Sequence, residues 1–226
     1  MPSHYSDTTV ILPTLNEEQN ISTLISELNL LYPGIKIIVS DDGSTDTTKS
    51  KASRPCVFFL DRSLAGIHGI TASVLAALQY VKTDNVIVMD ADMQHPPGTV
   101  QEILLALKEN DIVIASRKKI LKPWSFHRKF MSVAATSLAK SRLRNHHVSD
   151  PLSGFFGIKS SLFKDLAKFH YSRFTPQSYK VLFDILKLLP KNISKKEVFY
   201  DFNMRNKGTS KIRLKHIYYF LKSLFR

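Results

Sequence analysis

The sequence predicts an α/β domain in which helices flank a mostly parallel sheet. Three observations support this fold class. Short apolar runs alternate with helix-like segments through the first half of the chain, turn residues separate them, and a length of 226 residues suits one sizeable core. A hydrophobic fraction of 43% is ordinary for a soluble globular domain.

The first half supplies the repeating units of strand and helix. Five apolar runs are predicted strands, at 9–12, 35–39, 57–60, 86–89 and 112–115. The segments between them are predicted helices, at 17–31, 46–53, 66–81 and 98–107. This alternation indicates βαβ units, whose ligands bind beyond the carboxyl ends of the parallel strands.

The second half is mainly helical. A long helix is predicted at 128–143, a turn at 150–157 leads into a short strand, and two further helices and a late strand are predicted at 160–169, 177–188 and 196–203. No repeat, linker or low-complexity stretch interrupts this pattern. We therefore expect one domain over 1–208, followed by a C-terminal amphipathic helix over 209–226.

A pair of carboxylates directly follows the fourth predicted strand. Asp90 and Asp92 end the apolar run, Gln94 comes next, and 96–98 (Pro-Pro-Gly) breaks the chain before another helix begins. Hard oxygen donors at a strand end suit Mg²⁺ or Mn²⁺, which leave coordination positions open for phosphate oxygens. Because Asp-x-Asp also occurs by chance, the pattern alone is equally compatible with an ordinary turn.

Two other acidic loops follow predicted strands. The segment 13–18 follows the first strand, and 41–46 (Asp-Asp-Gly-Ser-Thr-Asp) follows the second. Turn formation and helix capping would explain each loop taken singly. Three acidic loops at one edge of a parallel sheet instead favour a shared binding site.

Charge is distributed unevenly between the two halves. Residues 1–111 carry 7 Lys or Arg against 14 Asp or Glu, whereas 112–226 carry 25 against 5, which gives net charges of −7 and +20. Basic stretches without acids predict attraction to nucleic acid, anionic lipid or a phosphorylated substrate. A solvated basic surface that favours solubility is the alternative.

The final segment, 210–226, has the pattern of a basic amphipathic helix. Its apolar stripe is flanked by several cations and comprises Leu214, Ile217, Tyr218, Leu221, Leu224 and Phe225. Such a helix suits an anionic membrane surface, where cations reach the headgroups. Packing against the protein's own core is an equally good explanation of the stripe.

Neither a signal peptide nor a membrane span is predicted. No apolar run approaches the roughly 18 residues that a span needs, and the first residues lack a charged start followed by an apolar run. Cys56 is the single cysteine, so an intramolecular disulfide is impossible and a reducing compartment is expected. We expect a peripheral protein at the cytoplasmic face of a membrane, held by its final helix or by a membrane-embedded partner subunit.

Several motifs together resemble the family 2 glycosyltransferases of the GT-A (Rossmann-like) fold, in particular the dolichol-phosphate mannose synthases and related polyprenyl-phosphate glycosyltransferases. The matching segments keep the family's order and lie at 11–17, 39–46, 64–69, 89–97, 115–117, 150–155, 178–180 and 205–211. The resemblance implies a metal-dependent inverting transfer of a hexose from a nucleotide sugar, with GDP-mannose favoured, to dolichyl or polyprenyl phosphate. Mg²⁺ or Mn²⁺ is the implied cofactor.

The resemblance also implies roles for individual residues. Those matching the family's nucleotide-sugar site are Pro13, Glu17, Asp41, Asp42, Asp90 and Ala91, with Asp41 expected to accept from a base nitrogen. The matching metal ligands are Asp90, Asp92 and Gln94, and the matching acceptor-phosphate residues are Arg117, Arg128 and Ser132. Asp92, Arg205 and Lys211 match the family's catalytic groups: Asp92 belongs to the metal and diphosphate site, and Arg205 and Lys211 match cations that reach the diphosphate or the acceptor.

The chain departs from the family pattern at three positions. Phe156 and Val133 stand where arginine is common, and Asp184 stands where the family usually has glutamate. The loop that contains Trp124 also looks short. These departures concern the acceptor and the donor sugar more than the fold.

Histidine chemistry has little support in the sequence. None of His68, His95, His127, His146 and His147 has convincing zinc-ligand spacing. We expect surface or loop roles for most of them. His95 is the exception, because it adjoins the carboxylate motif.

The sequence is also compatible with other functions. A glycosyltransferase that uses UDP-glucose or a saccharide acceptor would need a general base, for which Asp150 is available. A non-catalytic protein that binds a membrane surface or nucleic acid would account for the basic half. Nucleic acid is not an expected partner, because the first half is acidic and no basic stripe interleaved with stacking aromatics is present.

Overall fold

The fold was analysed in a computed structural model that describes residues 5–120, 126–143, 147–202 and 214–226. The strands are β1 (Thr8–Thr14), β2 (Lys36–Asp41), β3 (Val57–Asp61), β4 (Asn85–Val88), β5 (Ile112–Ile120), β6 (Phe156–Lys159) and β7 (Lys195–Phe202). The helices are α1 (Ile21–Leu31), α2 (Thr48–Ala52), α3 (Ile70–Leu78), α4 (Thr99–Leu107), α5 (Phe126–Arg142), α6 (Ser160–His170), α7 (Val181–Leu188) and α8 (Leu214–Phe225). A 3-10 turn, Tyr171–Arg173, follows α6.

The strands form one 7-stranded sheet in the order β3-β2-β1-β4-β6-β5-β7. Neighbours pair in parallel except at β6, which is antiparallel to both β4 and β5. The mostly parallel sheet flanked by helices is therefore confirmed. The carboxyl ends of β1, β2, β4 and β5 meet at one edge, as the alternation of strands and helices predicted.

The sheet separates two hydrophobic cores. On one face, the apolar residues of α1, α2 and α4 pack against the strands, with Leu24, Ala52 and Ile103 fully buried. On the other face, α3 and the helices from α5 onward pack together, with Val74 and Leu182 among the fully buried residues. Because both faces are covered, the central strands β1 and β4 are buried along their whole length.

Helix starts and one strand differ from the sequence prediction. α1 begins at Ile21 rather than near residue 17, and α3 begins at Ile70 rather than near 66. In both cases the preceding residues form loops at the carboxyl edge of the sheet. Amphipathic periodicity alone does not distinguish such loop residues from the first turn of a helix. β5 also runs five residues further than predicted, to Ile120, because β7 pairs with its extension.

The C-terminal helix packs on the protein through a face that includes Leu224 of the predicted stripe, while other residues of that stripe are exposed. Phe220, Ser223 and Leu224 are buried, whereas Tyr218 and Phe225 are exposed. Cations of neighbouring elements hold the end of the helix: Arg142 Nε donates to the Leu224 carbonyl (3.0 Å), and Lys187 Nζ donates to the Ser223 carbonyl (2.5 Å). Across the described ranges, no helix has the length and apolarity required for a membrane span.

Candidate active site

The loops after β1 and β2 are tied to each other at the carboxyl edge of the sheet. Asn16 donates its backbone N–H to Ser44 Oγ (2.7 Å), and its side-chain oxygen accepts from Thr45 N (2.8 Å). Glu17 N donates to the hydroxyl of Thr48 (2.8 Å). These reciprocal bonds stop the first helix from starting at residue 17 and hold both acidic loops in one place.

Asp41 organises its own loop. Its carboxylate accepts from Thr14 Oγ1 (2.8 Å), Ser44 N (2.7 Å), Ser44 Oγ (2.5 Å) and Gly43 N (3.2 Å), and the residue is only 3% exposed. A carboxylate accepts about four hydrogen bonds. Direct recognition of a base by Asp41 stays a prediction, and it requires a base to displace one of these bonds.

Asp42 anchors the loop that follows β3. It forms an ion pair with Arg62 Nη1 and accepts from Gly69 N (2.7 Å), while His68 Nδ1 lies 3.2 Å from Oδ1. Arg62 also donates to the Ile67 carbonyl (2.7 Å). Gly69 has a φ of 145°, and an added Cβ would lie 2.6 Å from the Pro176 carbonyl, so only glycine fits this crossing.

The carboxylate motif lies directly beyond β4, as predicted. Asp90 is partly exposed, whereas Asp92 is only 5% exposed and accepts from Gln94 N at 3.1 Å. Met93, between Asp92 and Gln94, has a φ of 64°, a left-handed conformation that residues other than glycine adopt infrequently. An unusual backbone conformation therefore separates the two carboxylates from Gln94.

The chemistry of these donors fits Mg²⁺ or Mn²⁺. Within the described part of the chain, no group of three or more His, Cys, Asp or Glu side chains is arranged to hold a metal. An ion at this motif would be bound by Asp90, Asp92 and the Gln94 amide, with substrate phosphates completing its shell. Mg²⁺ is commonly bound in this manner, by one or two carboxylates together with phosphate oxygens.

An ion pair spans the strand end next to the motif. Arg117, at the end of the regular part of β5, binds Asp150 in a bidentate manner, with Nε to Oδ2 at 2.6 Å and Nη2 to Oδ1 at 3.0 Å. Burial alone would raise the pKa of Asp150, but the bonds to Arg117 outweigh it and the pKa is lowered. The predicted acceptor-phosphate residue Arg117 is thus at the site, with one carboxylate already bound to it.

Two residues at the site were not assigned a role from the sequence. Lys180 donates to the Leu152 carbonyl at 2.5 Å. Burial, followed by the charge of Arg117, lowers the pKa of Lys180 to about 8, although Asp150 and Asp90 act in the opposite direction. The bond to Leu152 places Lys180 beside the turn that follows Asp150. Its position was implied only by the matching segment 178–180.

Tyr200 is the second such residue. It pairs with Arg117 across β5 and β7 and is 5% exposed. Its hydroxyl makes no hydrogen bond of normal geometry within the described residues, although Ser153 lies near it. A buried hydroxyl without a partner is costly, so this hydroxyl is available to a water or a ligand. Nothing in the sequence indicated that the Tyr200 hydroxyl lies at the site, because an aromatic residue in a strand is common.

Some of the remaining predicted site residues lie within the described part of the structure, and others lie outside it. Pro13 and Ala91 are buried at the ends of β1 and β4, and Glu17 is partly exposed beside them. Arg128 and Ser132 lie in α5, but their side chains are outside the described residues, as are Arg205, Lys211 and Trp124 altogether. Their roles stay predictions.

The departures from the family pattern have structural explanations at two positions. Phe156 is fully buried on the sheet face opposite Phe155. Its ring packs edge to face against Phe163, with the ring centroids 6.4 Å apart. Asp184 is also fully buried, and it accepts from Thr175 N (2.9 Å) and Ser223 Oγ (2.5 Å). Both residues therefore support packing rather than the site. Val133 is 58% exposed on α5, and nothing in the structure explains its departure.

A family model described as glycosyl transferase family 2 matches residues 9–167. The chain belongs to glycosyl transferase family 2. The predicted family and fold class are thus confirmed, and the carboxylate motif, Arg117 and Asp150 all lie within the matched region.

The glycosyltransferase is related to dolichol-phosphate mannosyltransferases over nearly its whole length. It is 31% identical to the enzyme of Pyrococcus furiosus over 96% of this chain, and it spans 62% of that relative's length. It is 30% identical to the enzyme of Mycosarcoma maydis, covering 95% of this chain and 76% of the relative.

Solved structures share the fold. Glucosyl-3-phosphoglycerate synthase from Mycobacterium tuberculosis, in complex with Mn²⁺, UDP and phosphoglyceric acid, aligns with a TM-score of 0.69 and 22% identity, over 96% of this chain and 78% of that one. At this identity the likeness supports the GT-A architecture alone.

Proposed function

We propose that this glycosyltransferase moves a hexose from a nucleoside diphosphate sugar onto the phosphate of a polyprenol. GDP-mannose is the proposed donor and dolichyl or polyprenyl phosphate the proposed acceptor, by relation to the dolichol-phosphate mannosyltransferases. Asp90 and Asp92 follow β4, and the charge of Asp90 acts on the cations Arg117 and Lys180. Acids suit a metal that carries the leaving diphosphate, and cations suit an incoming phosphate.

The ion pair between Asp150 and Arg117 is the observation that favours a phosphate acceptor over a saccharide. A sugar hydroxyl would need a general base, and Asp150 was the candidate for that role. Both of its oxygens are bound by Arg117, which also lowers its pKa and weakens it as a base. A phosphate is already anionic at neutral pH and needs no base, so the site suits a phosphate acceptor better than a saccharide.

The proposed reaction is a single displacement at the anomeric carbon. An oxygen of the acceptor phosphate forms a bond to this carbon, while the bond from the carbon to the diphosphate oxygen breaks on the opposite face, inverting its configuration. A divalent metal, when bound, supplies positive charge for the diphosphate. The chain contributes binding and orientation, because Arg117 can direct the nucleophile while the interlocked loops after β1 and β2 hold the donor.

Membrane attachment is proposed through the exposed strip of α8. Tyr218, Leu221 and Phe225 are exposed there beside Lys222 and Arg226, and together these side chains border a shallow cavity of about 640 Å³. An apolar strip flanked by cations suits an anionic bilayer surface, where the polyprenyl chain of the acceptor resides. A membrane-embedded partner subunit remains a further proposed partner.

The proposal is tested by comparing acceptors and donors with purified protein. We expect transfer of labelled mannose from GDP-mannose to polyprenyl phosphate in the presence of Mn²⁺, and none to free saccharides. The Asp92→Asn variant should lose transfer by at least about 100-fold while unfolding at nearly the same temperature, because the substitution removes charge and not volume.

An exposed carboxylate on α6 provides the matched control. Asp165→Asn makes the same chemical change away from the site and should retain full transfer. Transfer that is unaffected by metal removal or by Asp92→Asn would disprove the metal assignment. Preference for UDP-glucose, or for a saccharide, would instead correct the donor or the acceptor and leave the metal assignment standing.

A further inference from the structure

We propose that His95 is a positioning residue that orients the Asp90 carboxylate for the metal and diphosphate. This inference rests on the proposed function, since it assigns His95 a task at the proposed metal site. His95 lies five positions after Asp90, at the end of the same loop, and is only 2% exposed. A histidine buried this deeply beside a partly exposed carboxylate requires a structural reason, and its contacts provide one.

Aromatic rings fix the plane of the imidazole. The His95 ring stacks on Phe155 with centroids 5.1 Å apart and an interplanar angle of 16°. Tyr200 meets the imidazole edge to face at 5.8 Å, and Phe202 lies at the same distance at an angle of 59°. Rings packed on several sides leave the imidazole little freedom to rotate. Its two nitrogens therefore point in fixed directions.

Backbone bonding decides which nitrogen carries the proton. The N–H of Asp90 donates to His95 Nδ1 at 3.1 Å, so Nδ1 acts as an acceptor. In a neutral imidazole the proton then lies on Nε2, which becomes a donor. Nε2 lies 3.8 Å from Asp90 Oδ2. This distance is too long for a hydrogen bond, so His95 holds Asp90 through its main chain.

The carboxylate of Asp90 is confined from a second direction by Gly154. A Cβ built on Gly154 would lie 3.0 Å from Oδ2 and 3.1 Å from Oδ1 of Asp90, closer than side chains normally pack. Asp90 therefore has its carboxylate against a glycine that leaves just enough room and its main chain bonded to a fixed histidine. Losing a group that holds a metal ligand in place by a hydrogen bond typically weakens metal affinity about 10- to 100-fold.

Two polar variants separate orientation from simple packing. His95→Asn places an oxygen near the Nδ1 position, which keeps the acceptor for the Asp90 N–H. His95→Gln instead reaches the Nε2 position with its amide and leaves the Asp90 N–H without this acceptor. We expect His95→Gln to bind Mn²⁺ at least about 10-fold more weakly than the wild type, and His95→Asn to retain more of the affinity.

The measurement is isothermal titration calorimetry of the full chain with Mn²⁺ in the presence of saturating GDP, together with thermal unfolding of each variant. His170→Asn, an exposed histidine at the end of α6, is the matched control and should bind Mn²⁺ like the wild type. Val86→Ala, a fully buried cavity variant at the far end of β4, controls for lost stability and should leave the affinity unchanged.

The outcomes distinguish this inference from the proposed function. Wild-type binding of Mn²⁺ with unchanged binding in His95→Gln overturns the role of His95 alone. Equal losses in His95→Asn and His95→Gln also overturn it, because they indicate a packing effect. If the wild type binds no Mn²⁺, the metal site of the proposed function fails and the role of His95 fails with it.

Discussion

At the scale of single residues, the charged groups of the site are paired with one another. Arg117 directs Nε and Nη2 at Asp150, so an acceptor phosphate would share this guanidinium with a carboxylate. Removing Arg117 would leave Asp150 buried without its partner, which typically costs 3–5 kcal/mol. Loss of activity in such a variant would therefore reflect damaged folding as well as lost acceptor binding.

Lys180 allows a prediction that does not require a destabilising substitution, because raising the pH removes its charge. Burial lowers its pKa to about 8. If the ammonium contacts a substrate phosphate, kcat/KM should fall as the pH rises through about 8. The variant Lys180→Arg keeps its charge at alkaline pH, so the fall in its pH profile should disappear even if its maximal rate is lower.

The stability of the protein should not follow this fall in activity. The folded-state pKa of Lys180 is below its usual value of 10.5, so the unfolded chain binds more protons between about pH 8 and that value. The contribution of this group to stability therefore rises with pH in that window. A drop in thermal stability parallel to the drop in kcat/KM would show that unfolding, and not the charge of Lys180, limits activity.

At the scale of elements, β6 is what joins the two halves of the site. It runs antiparallel between β4 and β5 and places the turn that contains Asp150 and Gly154 beside the carboxylate motif. α4 packs directly over it at Gly157, where an added Cβ would lie 2.4 Å from Ile103 Cγ2 and 2.9 Å from Leu107 Cδ1. The absence of a side chain there lets the helix approach the strand.

Gly157→Ala should therefore destabilise the protein by about 1–3 kcal/mol, since the extra methyl group overpacks a well-filled core. Chemical denaturation would measure the change. The control is Gly66→Ala, because a Cβ on Gly66 meets no atom within 4 Å, and it should alter stability by less than about 1 kcal/mol. Equal effects of the two substitutions would contradict the close packing of α4 on β6.

At the scale of the whole molecule, acids of the first half and bases of the second converge on one site, while α8 presents apolar and basic side chains outside it. α7 connects these two regions. Lys180, just before α7, lies at the site, whereas Asp184 and Lys187 bind α8 through Ser223. A rigid connection of this kind would hold the site at a fixed position relative to a membrane bound by α8.

The proposed attachment predicts that the exposed strip governs binding to vesicles. Replacing Leu221 and Phe225 together by serine should weaken binding to vesicles containing anionic lipid by roughly tenfold or more per residue, because each large apolar side chain contributes about 1.5 kcal/mol or more when buried. Sedimentation with vesicles would measure it. Leu30→Ser, a similarly exposed apolar residue on α1, should bind like the wild type. Unchanged binding of the double variant would exclude the strip as the attachment surface.

The sequence by itself determined the features that depend on local chemistry. Alternating apolar runs set the order of strands and helices, and polar residues at the strand ends located Asp41, Asp90 and Asp92 at one edge. The family motifs added the site's expected roles. These signals were sufficient because strand ends and turns are encoded by neighbouring residues.

Only the tertiary structure decided which distant groups meet. Asp150 binds Arg117 across 33 positions of sequence, and Gly154 confines Asp90 because β6 enters the sheet antiparallel. Periodicity showed an amphipathic α8 but not which residues would be buried, since Phe220 and Leu224 pack inward while Tyr218, Leu221 and Phe225 of the predicted stripe stay exposed. Such choices depend on packing between elements far apart in the chain, which local patterns do not encode.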